Sequence, residues 1–305
     1  MPGPLSARST SLTCRPARPR TMNRWHIGQV RITQVVESGP TPTSTRFMFK
    51  DPPADLVQRH AWLKPHFADD DGRLLMSIHC FVIESAGQRI VVDTCVGNDK
   101  PRHNPAWNYL SGPFLQRLAD AGFAPESIDT VLCTHLHVDH VGWNTRWLDG
   151  RWVPTFANAR YLFARPEWEH WSAQAATEGD DVIGDSVRPI VDAGLAQLVE
   201  TDHRLTDDVR LEPTPGHTPG HVSVRIRSQG QDAVITGDLM HHPIQCSEPD
   251  RLVKFDTDSE QARRTRRHFL ACCAQDRSLV LGTHFAHPTA GHVVPAGEVW
   301  RFEVD

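Results

Sequence analysis

His135-Leu136-His137-Val138-Asp139-His140 sets three imidazoles and one carboxylate in six consecutive positions. So dense a set of metal donors is not ordinary surface polarity. It follows Asp129-Thr130-Val131-Leu132-Cys133, a β-branched run with strand character, so the donors stand just past a strand's carboxyl end, where loops commonly carry function. In extended backbone, residues i and i+2 face the same side, and His135 and His137 can address one ion from one segment. Asp139 and His140 cannot both join them unless the chain turns.

Three further donors follow inside Gly-containing turns: His217 in Thr214-Pro215-Gly216-His217-Thr218-Pro219-Gly220-His221, Asp238 in Thr236-Gly237-Asp238-Leu239, and His284 in Leu281-Gly282-Thr283-His284. The economical reading is two divalent ions: His135, His137 and His217 on one, Asp139, His140 and His284 on the other, with Asp238 shared through its two oxygens. Imidazole and carboxylate donors without a thiolate suit Zn2+, with Mn2+, Fe2+ or Co2+ as alternatives. Two dications lower the pKa of a bridging water to about 7 or below, so hydroxide forms at neutral pH and hydrolysis is the natural outcome. Asp139, ligating through one oxygen, would keep the other free to hold the hydroxide and pass a proton to the leaving group. His221, His287 and His292 are expected outside the ligand set.

The rest of the chain narrows the setting. A net charge of −5 over 305 residues gives no general attraction to nucleic acid or anionic membrane, and no apolar run is long enough to span a bilayer. The expected partner is a small-molecule substrate, with neither nucleic acid nor membrane, and a homodimer as the one assembly left open. The expected location is cytoplasmic. Seven irregularly spaced cysteines read as reduced thiols in a chain of this size. Residues 1–21, rich in Arg, Pro, Ser and Thr, read as a disordered or mis-annotated extension, and residues 22–305 as a single catalytic domain. The run Arg263-Arg264-Thr265-Arg266-Arg267 reads as one solvated helix face.

Strands are expected at residues 27–37, 77–84, 88–93, 129–133, 159–163, 222–226 and 233–236, with a final one at 278–281. Helices are expected near 114–121, 166–176 and 259–273. Residues 40–65, punctuated by proline, read as loop or lid. Strand groups with interspersed helices in both halves suggest two packed sheets with helices outside, a four-layer αββα sandwich of the α/β class.

H-x-H-x-D-H, then G-H-T-P-G-H, then G-D and a late G-T-H together resemble the metallo-β-lactamase superfamily of hydrolases, over nearly the whole chain from Trp25. Val91-Val92-Asp93-Thr94 is similar to that family's early strand, with Cys95 where Gly is usual. The resemblance implies the metallo-β-lactamase fold and gives Asp93 the part of orienting the metal loop from outside the ligand set. Asp139-His140-Val141-Gly142-Trp143-Asn144 and residues 243–258 most resemble the branch of N-acyl homoserine lactonases and methyl parathion hydrolase-like enzymes. Lactonases of that branch carry Tyr three residues after the shared Asp, where this chain has His241. His241 is therefore the expected oxyanion donor, with His242 an alternative and Trp143 a candidate for the substrate pocket. The expected reaction is hydrolysis of a small ester, foremost a lactone. Organophosphate triesters, aryl esters and glyoxalase II-like thioesters are alternatives, and an iron-dependent redox protein on the same fold is a more distant one.

Overall fold

The structure is a computed structural model that describes residues 23–174 and 181–304. The expected N-terminal extension lies outside the described residues. The first half holds β1 (Arg24–Ile27), β2 (Val30–Thr43), helical turn α1 (Thr45–Met48), β3 (Leu74–Ser85), β4 (Gln88–Val92), α2 (Phe114–Asp120), β5 (Thr130–Leu132), β6 (Thr145–Leu148), β7 (Arg151–Pro154), β8 (Arg160–Ala164), α3 (Arg165–Ser172), α4 (Arg188–Asp192) and β9 (Ala196–Val199). The second half holds β10 (Val209–Pro213), β11 (Val222–Ser228), β12 (Gln231–Ile235), α5 (Ile244–Ser247), α6 (Ser259–Asp276), β13 (Leu279–Leu281), β14 (Ala290–Ala296) and β15 (Val299–Glu303).

One sheet runs β1-β2-β3-β4-β5-β8-β9 and the other β10-β11-β12-β13-β14-β15, while β6 and β7 form a separate ribbon. The period-two alternation of the strands builds the layers. Phe81, Ile83, Ile90, Val92 and Leu132 point toward the second sheet and meet Val222, Val224, Ile235 and Leu281 in one core. Their neighbours Val82, Val91 and Val131 point outward, under Phe114 and Leu118 of α2 and Ile190 of α4. On the far side Val234, Val280 and Phe302 pack against Phe269, Leu270 and Cys273 of α6. The result is the four-layer αββα sandwich expected from the sequence.

Several expectations are corrected. The opening strand is a hairpin, and β2 continues to Thr43. Residues 44–68 are no lid: Met48, Phe49, Leu56, Leu63 and Phe67 are buried in the outer core of the second sheet, their apolar side chains too irregularly spaced to show a period. The strand at 279–281 is not the last, since β14 and β15 complete the sheet. Arg266 is not solvated but buried at 1% exposure on the inner stripe of α6. Helix α3 ends at Ser172, short of the expected stretch.

Candidate metal centre

The donors arrive from both sheets. Past β5, His135, His137, Asp139 and His140 follow one another round a turn held from below by Asp93, the residue after β4. Asp93 Oδ1 accepts from Thr134 N at 2.7 Å, and Oδ2 accepts from Thr134 Oγ1 at 2.9 Å and His140 Nδ1 at 3.0 Å. Because the Thr134 hydroxyl donates to Asp93, its oxygen accepts from His135 Nδ1 at 3.1 Å. Both Asp93 and Cys95 have positive φ, 59° and 54°, a region in which non-glycine residues are strained.

From the other sheet come His217, after β10, Asp238, after β12, and His284, after β13. His221 is no ligand: its Nε2 accepts from Asp238 N at 2.8 Å and its Nδ1 pairs with Thr214 Oγ1 at 2.8 Å. Gly237, at φ 55°, leaves room for that ring, since a Cβ there would lie 2.5 Å from His221 Nε2. His284 Nδ1 donates to Ser77 O at 3.0 Å.

The donor atoms gather in two groups, His135, His137, His217 and Asp238, and Asp139, His140 and His284. Asp238 faces both. Its Oδ2 lies 3.5 Å from His217 Nε2 and 3.8 Å from His135 Nε2, and its Oδ1 lies 3.1 Å from His284 Nε2 and 3.3 Å from His140 Nε2. Asp139 Oδ1 is 3.7 Å from His140 Nε2, and its Oδ2 is 3.6 Å from His284 Nε2.

The outward nitrogens of His140 and His284 are committed as donors to Asp93 and Ser77, so their Nε2 lone pairs face each other across 3.3 Å. His137 Nδ1 likewise lies 3.0 Å from His135 Nε2 and 2.9 Å from His217 Nε2. Bare nitrogens this close repel unless a positive charge lies between them. Tetrahedral donors at 2.0–2.1 Å from one cation stand about 3.3 Å apart, so the donors fit divalent ions. The proton affinities of the two groups differ. Burial holds His135 and His217 well below the ordinary histidine value and His137 down to about 4, which leaves lone pairs free. Burial also acts on His140 and His284, but the carboxylates outweigh it, led by Asp238, lifting His140 well above its ordinary value and His284 to about 8. Burial alone would raise Asp238; His140, His284 and His241 together hold it well below the carboxylate range instead.

The cluster lies at the floor of a cavity of about 1330 Å³ whose walls include Phe47, Met76, Ile78, Trp107, Trp171 and Ile183. Two wall segments, residues 103–107 and 181–184, are clasped by a buried ion cluster. Arg102 Nη1 and Nη2 donate to Asp185 Oδ2 and Oδ1 at 2.6 and 2.9 Å. Lys100 Nζ donates to Thr145 Oγ1 at 2.8 Å and stands 3.6 Å over the Trp152 ring.

Of the other residues singled out in the sequence, His241 lines the cavity. It is 4% exposed, lies 3.2 Å from Asp238 Oδ2, and has no hydrogen-bond partner at either ring nitrogen. His242 does not line it: its ring points away, with Nε2 donating to Phe67 O at 2.8 Å and Nδ1 accepting from Ile244 N at 3.1 Å. Trp143 is also misplaced as a pocket residue. It is buried, stacked on Phe114, and donates to Glu37 Oε1 at 2.7 Å. Two buried acids escaped sequence reasoning. Glu167 accepts from Leu136 N, Trp171 Nε1 and Gly220 N at 3.2, 2.7 and 2.9 Å, so it ties together the turns that carry His137 and His217. Asp256 pairs with His217 Nδ1 at 3.0 Å.

The sequence pattern described as "Metallo-beta-lactamase superfamily" matches residues 74–284. The chain belongs to the metallo-beta-lactamase superfamily. An N-acyl homoserine lactonase of Bacillus sp. is 25% identical over 177 residues, 54% of this chain and 64% of that protein. This chain thus spans just under two thirds of that relative's length. The probable metallo-hydrolase YybB of Bacillus subtilis (strain 168) is 28% identical over 162 residues, 50% of this chain and 68% of that protein. Among solved structures, hydrolase AbOPH of the beta lactamase superfamily superposes with a TM-score of 0.76 at 26% identity, covering 93% of this chain and 98% of that one. AidC, a dizinc quorum-quenching lactonase in complex with a product, superposes with a TM-score of 0.73 at 19% identity, covering 93% and 97%, a likeness of fold. Among the described residues no helix is long and apolar enough to cross a membrane, and the six described cysteines are free and outside both donor groups.

Proposed function

We propose that this chain is a two-metal hydrolase acting on a small, uncharged ester, foremost a lactone. One observation carries the reading: the two oxygens of Asp238 face two separate donor groups on the floor of a largely apolar cavity. His135, His137 and His217 would hold one ion, Asp139, His140 and His284 the other, and Asp238 both. Two such ions supply Lewis acidity and lower the pKa of a shared water to about 7 or below.

The side chains divide the remaining work. Asp139 lines the cavity as well as the second donor group, so one oxygen can ligate while the other takes a proton and delivers it to the leaving alkoxide. His241, buried and without a hydrogen-bond partner beside Asp238, is placed to donate from its ring to the oxygen on which charge develops. The apolar walls exclude bulk water and bind the acyl or aryl portion of the substrate. Among the described residues Arg188 is the single Lys or Arg on the cavity lining, which favours neutral substrates over polyanionic thioesters.

A second reading, hydrolysis of organophosphate triesters or aryl esters, is favoured by His241 where lactonase relatives carry Tyr. The test is metal analysis followed by a hydrolysis panel of acyl homoserine lactones, aryl esters, thioesters, organophosphate triesters and β-lactams on zinc-loaded protein. Turnover of lactones above all others supports the first reading, and of triesters the second. Asp139→Asn is expected to abolish turnover while the fold survives, and His241→Ala to lower kcat with both metals retained. Turnover supported by redox-active iron alone would sink both readings.

A further inference from the structure

His217 is held from behind by a residue outside both donor groups. The Asp256 side chain is 1% exposed, and its Oδ1 lies 3.0 Å from His217 Nδ1. A carboxylate accepts, so the ring donates from Nδ1 and presents a bare Nε2 to the cluster, 2.9 Å from His137 Nδ1 and 3.5 Å from Asp238 Oδ2. The next two residues continue the grip through the backbone: Thr257 N donates to His217 O and Asp258 N to Gly216 O, each at 2.9 Å. Asp258 then caps α6, accepting from Gln261 N at 2.9 Å.

Arg266, on the buried face of α6, lies between this grip and the turn that carries Asp238. Its Nε donates to Leu239 O at 3.2 Å, and its Nη1 donates to Pro249 O and Arg251 O at 3.0 and 3.1 Å. Leu239 directly follows Asp238. The guanidinium reaches Asp256 only at 3.7 Å, and Asp256 Oδ2 has no hydrogen-bond partner. The pair is therefore not a closed salt bridge, and the carboxylate makes its hydrogen bond to His217.

Asp93 backs His140 in the same manner, at 3.0 Å, so each donor group contains one imidazole with a carboxylate behind it. Such outer partners fix the ring's tautomer and orientation and raise its basicity. We propose that Asp256 is the positioning carboxylate of the first donor group, as Asp93 is of the second. The inference rests on the two-ion reading above.

The test is zinc competition with a chromophoric chelator on the full-length protein, with circular dichroism to follow the fold. Wild type is expected to hold two zinc equivalents. Asp256→Asn should loosen one of them on the order of 10- to 100-fold and leave the other unchanged, whereas Asp93→Asn should loosen the other. In a His217→Ala background, Asp256→Asn should add nothing, because its route to the metal is gone. Asp256→Glu keeps the carboxylate and should recover part of the loss, so the proposal stays open to test even where the Asn variant folds poorly. Wild-type protein that takes up no zinc overturns both the two-ion reading and this inference. Two equivalents in wild type with unaltered affinity in Asp256→Asn, or an equal loss in the His217→Ala background, overturns the inference alone.

Discussion

Asp185→Asn is expected to be among the most destabilising single changes in the cavity wall. Asp185 is the acid of a cluster with two cations, Lys100 and Arg102, whose side chains are both 0% exposed. The substitution keeps the shape and one acceptor oxygen but removes the charge, leaving the two buried cations facing each other. Breaking a buried pair in this way costs about 3–5 kcal/mol, a large part of the roughly 5–15 kcal/mol that holds a native protein together. The assay is urea unfolding followed by tryptophan fluorescence, to which Trp152, under Lys100, contributes. A pH dependence accompanies it. Burial pushes Lys100 down to about 8 against the pull of Asp185, whereas in the unfolded chain it titrates near its ordinary 10.5. Between those values the unfolded chain binds more protons, so wild-type stability gains from this group as pH rises from about 8 toward 10.5. Without Asp185 the lysine releases its proton at lower pH, and the penalty should be larger at pH 7 than at pH 9. A loss below about 1 kcal/mol at pH 7 would place the cluster with exposed ion pairs and refute the reasoning.

Three other outcomes are expected. Gly142→Ala would put a Cβ 1.8 Å from Val96 O and 2.0 Å from Val96 C, backbone atoms that cannot swing aside, so it should cost about 1–3 kcal/mol or more; thermal melts read it, and an unchanged melt contradicts it. Glu167→Gln turns an amide NH2 toward the NH groups of Leu136 or Gly220 and should cost about 1–3 kcal/mol, measured by urea unfolding. Removing bound metal with a chelator should lower the melting temperature and zinc should restore it, because ligands that bind only the folded chain stabilise it; identical melts with and without chelator would count against a metal centre.

Much of this architecture was legible in the chain. Apolar runs within Ser77 to Glu84 and Gln88 to Asp93, joined by the Ala86-Gly87 turn, revealed the hairpin at the centre of the first sheet, because both faces of those strands are buried in separate cores. The donors were legible because metal binding demands particular atoms at particular spacings, and Gly-bearing turns mark where the chain can present them. What supports the donors was not. Glu167 and Asp256 are single acids with no spacing to announce them, and what they do depends on which distant backbone and ring nitrogens fold against them. Arg266 could have been found. The buried positions of α6 are Ala262, Arg266, Phe269, Leu270 and Cys273, a helical stripe in which the arginine occupies an apolar position. Trp143 and His242 were misplaced because residue type does not fix the direction of a side chain within a turn. Strands β14 and β15 escaped because Gly291, Pro295 and Gly297 interrupt their pattern.

Both donor groups draw on both sheets: His135, His137, Asp139 and His140 leave the end of β5, while Asp238 and His284 leave the ends of the parallel neighbours β12 and β13. The parallel pairing brings those two ends side by side even though α6 intervenes in sequence. Neither pocket of donors is whole until the two sheets have docked, so the order of events during refolding is set by geometry. Strand pairing within each sheet can begin without metal, whereas full-affinity capture must wait for the seam to close. The rate of zinc uptake by a refolding chain should then serve as a clock for sheet docking, slower than the appearance of β-structure and insensitive to zinc concentration once the metal is in excess.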